Sequence, residues 1–88
     1  MEITLDVSEY NQSTGLPDKW IDGHRIEVKI DGGEVIIVAN KAGLESLASH
    51  ILALAQPTVP NDYHLHFSVS YGLDESSVDL ILGKTDFA

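Results

Sequence analysis

Two histidines separated by one residue, in His64-Leu65-His66, are the clearest metal-binding candidates in the chain. In a β-strand, residues i and i+2 share a face, so both imidazoles could reach one ion. A metal centre needs a further ligand, but His24 is predicted on the opposite face and His50 on a helix across the sheet. The pattern favours exposed strand histidines with no metal and no cofactor, and it leaves a metal-binding module or small metal-dependent enzyme as an alternative.

The other reactive side chains do not form a recognisable catalytic motif. Asp74 and Glu75 are neighbours in a predicted loop, so their side chains diverge and nothing fixes them as a general acid and base. The chain has no cysteine, no Gly-x-Ser-x-Gly nucleophile elbow and no phosphate-binding glycine loop. We therefore expect a protein that is not an enzyme.

The single tryptophan, Trp20, lies in a segment without apolar periodicity, residues 8–23, which is rich in turn-forming residues. A loop of this length is long for a compact domain, and such loops tend to be functional or mobile. Tryptophan is enriched at binding hot spots. It also commonly anchors a loop to a core, and the sequence favours this second role while leaving the first open.

Three strands are predicted before the helix. A short first strand runs from Glu2 to Val7, and the segment His24 to Ile30 then alternates apolar and polar residues strictly. Asp31-Gly32-Gly33 supplies the positive φ angles of a tight turn, and a returning strand runs from Glu34 to Ala39. Two positions of a two-residue loop within this turn are compatible with the apolar pattern.

One amphipathic helix follows, from about Lys41 to Gln56. Asn40 is a favourable N-cap residue, and Pro57 ends the helix. Apolar residues recur every three or four positions, which predicts one buried stripe. Its members are Leu44, Leu47, Ala48, Ile51, Leu52 and Ala55.

Two further strands are predicted, Tyr63 to Ser70 and Ser77 to Leu82, followed by a frayed tail over residues 83–88. The whole chain, residues 1–88, is thus expected to form a single α+β domain. We predict two layers: about five mostly antiparallel strands in the order βββαββ, with one helix packed on one face of the sheet.

A single helix covers only one face of such a sheet, so the other face is predicted to be open. Polar side chains would surround the apolar Ile36, Val38 and Ile81 there, which is typical of an interaction patch. The alternative is that the long loop covers these residues with Trp20 and Leu16. The candidate partner-binding residues are Trp20, Ile36, Val38, His64, His66, Asp74, Glu75 and Asp79.

Charge and hydrophobicity narrow the class of partner. The chain has 14 acidic and 5 basic residues and a formal net charge of −9, which argues against nucleic-acid binding and favours a basic protein. No apolar run approaches the roughly 20 residues that span a bilayer, so no membrane association is expected. The acidic N-terminus does not resemble a secretion signal, and we expect a cytoplasmic protein.

Residues 34–84 resemble a family of bacterial polymorphic toxin systems, the immunity-protein family numbered thirty-two. The resemblance lies in the helix, the histidine-bearing strand and the last strand. The matching segments are Val38 to Ala48, Ile51 to Gln56, Val59-Pro60, His64-Leu65-His66, Leu73 to Ser77 and Asp79 to Leu82.

Members of such families are small cytoplasmic proteins that bind and neutralise a cognate toxin, often a nuclease. The resemblance therefore implies an immunity protein that contacts a cognate toxin directly. An acidic domain with an open sheet face suits a basic nuclease domain as partner. A homodimeric structural domain, closed through the open face or an edge strand, remains a further alternative.

Overall fold

A computed structural model describes residues 1–87 of the chain, so Ala88, the end of the predicted tail, lies outside the described residues. The elements are β1 (Ile26–Asp31), β2 (Glu34–Ala39), α1 (Lys41–Leu54), β3 (His64–Phe67) and β4 (Leu80–Gly83). The α+β class is right. The five-stranded sheet and the order βββαββ are wrong, because the four strands form two separate antiparallel pairs, β1–β2 and β3–β4.

The first hairpin has the register that the apolar pattern requires. Its loop is Gly32-Gly33, with φ angles of 58° and 82°, and Asp31 pairs with Glu34. This settles the loop position that the sequence left open. Val28 pairs with Ile37, and both lie on the face of the hairpin that is turned toward the helix.

Helix α1 begins where predicted and ends two residues earlier than predicted. The side chain of Asn40 accepts a hydrogen bond from the N–H of Gly43 at 2.8 Å, as an N-cap does. Beyond the C-cap, Ala55, the ammonium group of Lys84 donates hydrogen bonds to the carbonyls of Gln56 and Val59. The last carbonyls of the helix have partners of their own, since the N–H of Ala55 donates to the carbonyl of Ile51 and the side-chain amide of Gln56 donates to that of Ala53.

The helix buries a face rotated from the predicted stripe. Leu44, Ile51 and Leu52 are exposed, whereas two polar residues, Ser46 and His50, are buried. Burial of polar side chains is tolerated where hydrogen bonds satisfy them, and both make such bonds to the long loop. The buried residues of α1 are Gly43, Ser46, Leu47, His50, Ala53 and Leu54.

A backbone turn and a side-chain hydroxyl interrupt the pairing between the two hairpins: the N–H of Ser77 donates to the carbonyl of Asp74 at 2.9 Å and closes the turn. The segment 74–78 lies beside β1: the N–H groups of Asp74 and Val78 donate to the carbonyls of Ile26 and Val28. Between these bonds, the N–H of Val28 donates to Oγ of Ser77 at 3.0 Å instead of to a backbone carbonyl. The ladder is interrupted at this point, so the last strand begins at Leu80 rather than at the predicted Ser77.

The predicted first strand, Glu2 to Val7, does not form. The segment runs along the helix: the hydroxyl of Ser49 donates to the carbonyl of Asp6, and the side-chain amide of Gln56 donates to the carbonyl of Ser8. These bonds to helix side chains satisfy backbone groups that a strand would have paired with a neighbour. Of the apolar residues in this segment, Val7 packs against the core, whereas Ile3 is 66% exposed.

One hydrophobic core joins the hairpins, the helix and the long loop. Within it, Phe67 and Ile26 are fully buried. The core residues are Leu16, Ile26, Val28, Leu47, Ala53, Leu54, Val59, Leu65, Phe67 and Leu73. Among residues 1–87, no helix has the length and hydrophobicity that crossing a bilayer requires.

Candidate functional site

The side of the two hairpins that faces away from α1, here called the outer face, carries most of the candidate residues. In β1 and β2 the alternation places Glu27, Lys29, Ile36 and Val38 on this side, since Ile26 and Val28 point into the core. In β3 and β4 it places His64, His66 and Ile81 there, opposite the buried Leu65 and Phe67.

The apolar residues of the outer face are largely open to solvent. Val38 is 54% exposed and Ile81 is 59% exposed, while Ile36 is half-buried. The long loop does not cover them, because Leu16 and Trp20 pack into the core on the helix side. Apolar side chains in a polar surround are what a protein-binding patch provides.

A shallow cleft opens beside the first hairpin, where the segment 74–78 runs along β1. Asp74 lies at its wall, where one carboxylate oxygen accepts two hydrogen bonds from Arg25: Nη2 at 2.8 Å and Nε at 3.1 Å. Ser76 donates its hydroxyl proton to a carboxylate oxygen of Glu27 at 2.7 Å. The lining residues are Arg25, Glu27, Val69, Leu73, Asp74, Glu75 and Ser76.

The cleft is negatively charged. Three carboxylates, those of Glu27, Asp74 and Glu75, face one guanidinium. The hydrogen bonds from Arg25 to Asp74, together with the negative charge of that carboxylate, raise the pKa of Arg25 above its ordinary value, so this side chain stays cationic. Among residues 1–87, Glu75 has no hydrogen-bond or ion-pair partner, and its carboxylate is exposed to solvent.

The two strand histidines share the outer face but make different contacts. Nε2 of His66 lies 2.8 Å from Oδ2 of Asp79. Nδ1 of His64 lies 3.4 Å from the carbonyl of Asp62, which is a long contact. Within residues 1–87, no three His, Cys, Asp or Glu side chains are arranged to hold a metal ion. The pair His66–Asp79 is therefore a polar feature of the surface.

Trp20 is the one candidate residue that the structure places away from the outer face. Its ring stacks on His24, with centroids 4.7 Å apart, and lies 4.5 Å from the ring of His50. Phe67 meets it edge-on at 5.4 Å. Trp20 therefore anchors the long loop to the core, which is the role the sequence favoured.

His50 is a core residue whose importance the sequence did not reveal. It is 4% exposed; Nδ1 lies 2.7 Å from the carbonyl of Ser46, and Nε2 accepts the N–H of Lys19 at 3.2 Å. Since Nε2 accepts, Nδ1 carries the proton and donates to Ser46. The i, i+4 spacing of Ser46 and His50 beside Leu47 is the only signal in the sequence that could have indicated a polar buried face.

Comparison with known proteins gives one match. The sequence model of the family described as Immunity protein 32 matches residues 34–85, which is more than half of the chain. The matched region begins with β2 and ends just after β4, and it contains every candidate residue except Trp20. Searches among curated proteins and among solved structures found no match.

Proposed function

Because the chain belongs to the Immunity protein 32 family, we propose that it neutralises a cognate protein toxin by direct contact through its outer face. The single observation that carries this assignment is the family match, which covers β2, β3 and β4. These strands supply the apolar and histidine-bearing positions of that face. The protein acts as a binding partner in the bacterial cytoplasm and needs no chemistry of its own.

Two exposed apolar residues supply anchors for the interface. Val38 on β2 and Ile81 on β4 each leave more than half of their surface open, and polar side chains surround them. Burying such residues against a partner removes apolar area from water, which is the main favourable term in most protein association. The polar neighbours, among them His66 and Asp79, would form the rim.

The acidic cleft favours a partner that presents basic side chains. The unpaired carboxylate of Glu75 sits beside Asp74 and Glu27, so a lysine or arginine from the toxin would gain a charge-assisted contact there. The net charge of −9 acts over a longer range and steers a basic protein toward the domain. A nuclease domain, whose substrate-binding surface must be positive, fits both features.

The experiment uses the toxin domain encoded by the gene immediately upstream. The two proteins are co-expressed with a tag on the toxin domain only, and the recovered complex is analysed for stoichiometry. Expected results are co-purification in a fixed ratio and survival of cells that otherwise die when the toxin domain is expressed. If the toxin domain is purified alone and still kills cells that produce this protein, the proposed function is wrong.

A further inference from the structure

Strand β2 is an edge strand with no protection against pairing. It bonds to β1 on one side, and within residues 1–87 no other backbone segment pairs with its second side. Its sequence, Glu34-Val35-Ile36-Ile37-Val38-Ala39, has no proline, no lysine and no bulge. Natural proteins usually protect an exposed edge by one of these devices, because an open edge recruits further strands.

The hydrogen-bond pattern shows which groups the open edge presents. The N–H of Asn40 donates to the carbonyl of Arg25, so these residues form a hydrogen-bonded pair of the antiparallel ladder. Because such pairs alternate along the ladder, the N–H and C=O groups of Val35, Ile37 and Ala39 point away from β1. These groups form a regular row of donors and acceptors along the edge.

We propose that two copies of this chain pair antiparallel through the open edge of β2, about a two-fold axis at Ile37. In this register each outward-pointing residue meets another one: Ile37 faces Ile37 of the second copy, and Val35 faces Ala39. Each of these hydrogen-bonded pairs exchanges two backbone hydrogen bonds. The edge is thus self-complementary, as a two-fold interface requires.

The side chains opposed in this register suit one another. Ile36 faces Val38 of the second copy on the outer side, and only apolar residues face one another from position 35 to position 39. Glu34 falls opposite Asn40 of the second copy, next to Lys41, one of the five basic residues of the chain. The acidic groups of two strongly acidic chains are therefore not opposed at this edge.

The helix has an exposed apolar flank on the side away from the N-terminal segment. The N-terminal segment covers the flank of α1 that carries Ser49 and Gln56 and continues toward Tyr63 and Phe67 at the β3 side. Leu44 and Ile51 lie on the opposite flank and are exposed, and Ile51 lines a cleft together with Gly83 to Thr85 and Phe87. A two-fold axis perpendicular to the sheet places both helices on the same side of the paired strands.

Apolar side chains at the edge of β2 and on the exposed flank of α1 are open to solvent. Val35 is 66% exposed, and Ile37, Leu44 and Ile51 are each exposed by more than a third. The backbone edge of β2 and the side chains of Ile36 and Val38 supply further area.

Sedimentation equilibrium over a range of concentrations tests the dimer. We expect the wild type to be dimeric and Ile37→Lys to be monomeric, because the new charges would lie directly opposite each other across the axis. Ile81→Lys, the same change at a more exposed position on β4, should leave the dimer intact. A wild type that stays monomeric up to its solubility limit overturns the proposal, and so does an Ile37→Lys variant that sediments as the wild type does.

Cross-linking tests the register itself, and the chain has no native cysteine to interfere. Opposed residues of a hydrogen-bonded pair have Cα atoms about 5.5 Å apart, within the range that a disulfide spans. Ile37→Cys should therefore give a disulfide-linked dimer under mild oxidation. Ile36→Cys is the control. Because position 36 faces position 38 of the second copy, this variant should remain unlinked. If both variants form the disulfide equally, or if neither does, the proposed register is wrong. The two proposed interfaces meet at Ile36 and Val38, but sedimentation and cross-linking need no toxin and the co-purification test needs no dimer, so either proposal can fail without the other.

Discussion

The backbone N–H of Lys19 donates a hydrogen bond to Nε2 of His50, 3.2 Å away, and this bond ties the long loop to the buried face of the helix. The ring of the next residue in the chain, Trp20, packs at a tilt against the same imidazole, with the ring centroids 4.5 Å apart. Because His50 is buried, no water replaces this partner if it is lost. The loop is therefore part of the hydrophobic core, and its anchoring can be tested by stability measurements.

Replacing His50 by leucine should destabilise the protein. The change keeps an apolar side chain of similar size but leaves the N–H of Lys19 and the carbonyl of Ser46 without these partners. We expect a loss of about 1–3 kcal/mol in the free energy of unfolding, measured by urea denaturation. His64→Leu, an exposed change on β3, is the control and should be nearly neutral. Equal stability of both variants would contradict the anchoring role of His50.

Two features require glycine at position 72: its positive φ angle and the close approach of the Trp20 ring. Its φ is +97°, and a Cβ built there would lie 2.7 Å from Cε2 of Trp20. Gly23, with φ of +81°, has open space around it. Gly23→Ala should therefore cost about 1–2 kcal/mol for the left-handed backbone alone.

Gly72→Ala should cost clearly more than Gly23→Ala, and it should also change the fluorescence of the single tryptophan. Thermal denaturation compares the two variants, and the emission spectrum of the native state reports on Trp20. If the two variants were equally stable and their spectra matched that of the wild type, Trp20 would not pack on Gly72 as described.

Gly43→Ala should destabilise the protein, although replacing glycine by alanine usually stabilises a helix. Alanine normally stabilises a helix interior by about 1 kcal/mol relative to glycine. At position 43, however, the new Cβ would lie 2.9 Å from Cγ1 of Ile26 and against the carbonyl oxygen of Arg25. Overpacking against fixed backbone typically costs about 1–3 kcal/mol, so we expect net destabilisation in urea. A more stable variant would show that the helix does not approach β1 this closely.

Ser77 links the segment 74–78 to β1, and replacing it should affect the backbone amide of Val28. In Ser77→Ala the N–H of Val28 loses its acceptor, which should cost about 1–3 kcal/mol and speed the hydrogen exchange of this amide. Ser76→Ala is the matched control, because the hydroxyl of Ser76 bonds only to Glu27 on the exposed side. Unchanged exchange at Val28 in the Ser77 variant would contradict this account of the junction.

The local sequence pattern was enough to predict those elements whose position is determined by a few neighbouring residues. Gly32-Gly33 determines the hairpin because few other residues adopt positive φ at both positions, and Asn40 determines the start of the helix through its side-chain oxygen. The immunity-protein family was also predicted correctly from residues 34–84 and is confirmed by the match. Strand alternation accounts for the placement of Ile36, Val38, His64 and His66, and the role of all the candidate residues in binding remains a prediction.

The prediction of the buried helix face failed because hydrogen bonds from a distant loop determine which side chains are buried. The sequence predicted Leu44 and Leu52 in the buried stripe of the helix, because periodicity weighs hydrophobicity alone. In the fold, Ser46 and His50 are buried because the N–H groups of Ile21 and Lys19 reach them. Such partners come from a loop more than twenty residues away, and no local pattern encodes them.

The most direct test of the central claim is the Kd of the cognate toxin domain for the wild type and for two outer-face variants, Ile81→Lys and Glu75→Lys. Asp18→Lys, which makes the same charge change as Glu75→Lys but in the long loop, is the control. We predict that each outer-face variant raises Kd at least tenfold, equivalent to about 1.4 kcal/mol, while the control binds nearly as the wild type does. If both outer-face variants bind as tightly as the wild type, or the control weakens binding as much as they do, the toxin does not bind the outer face.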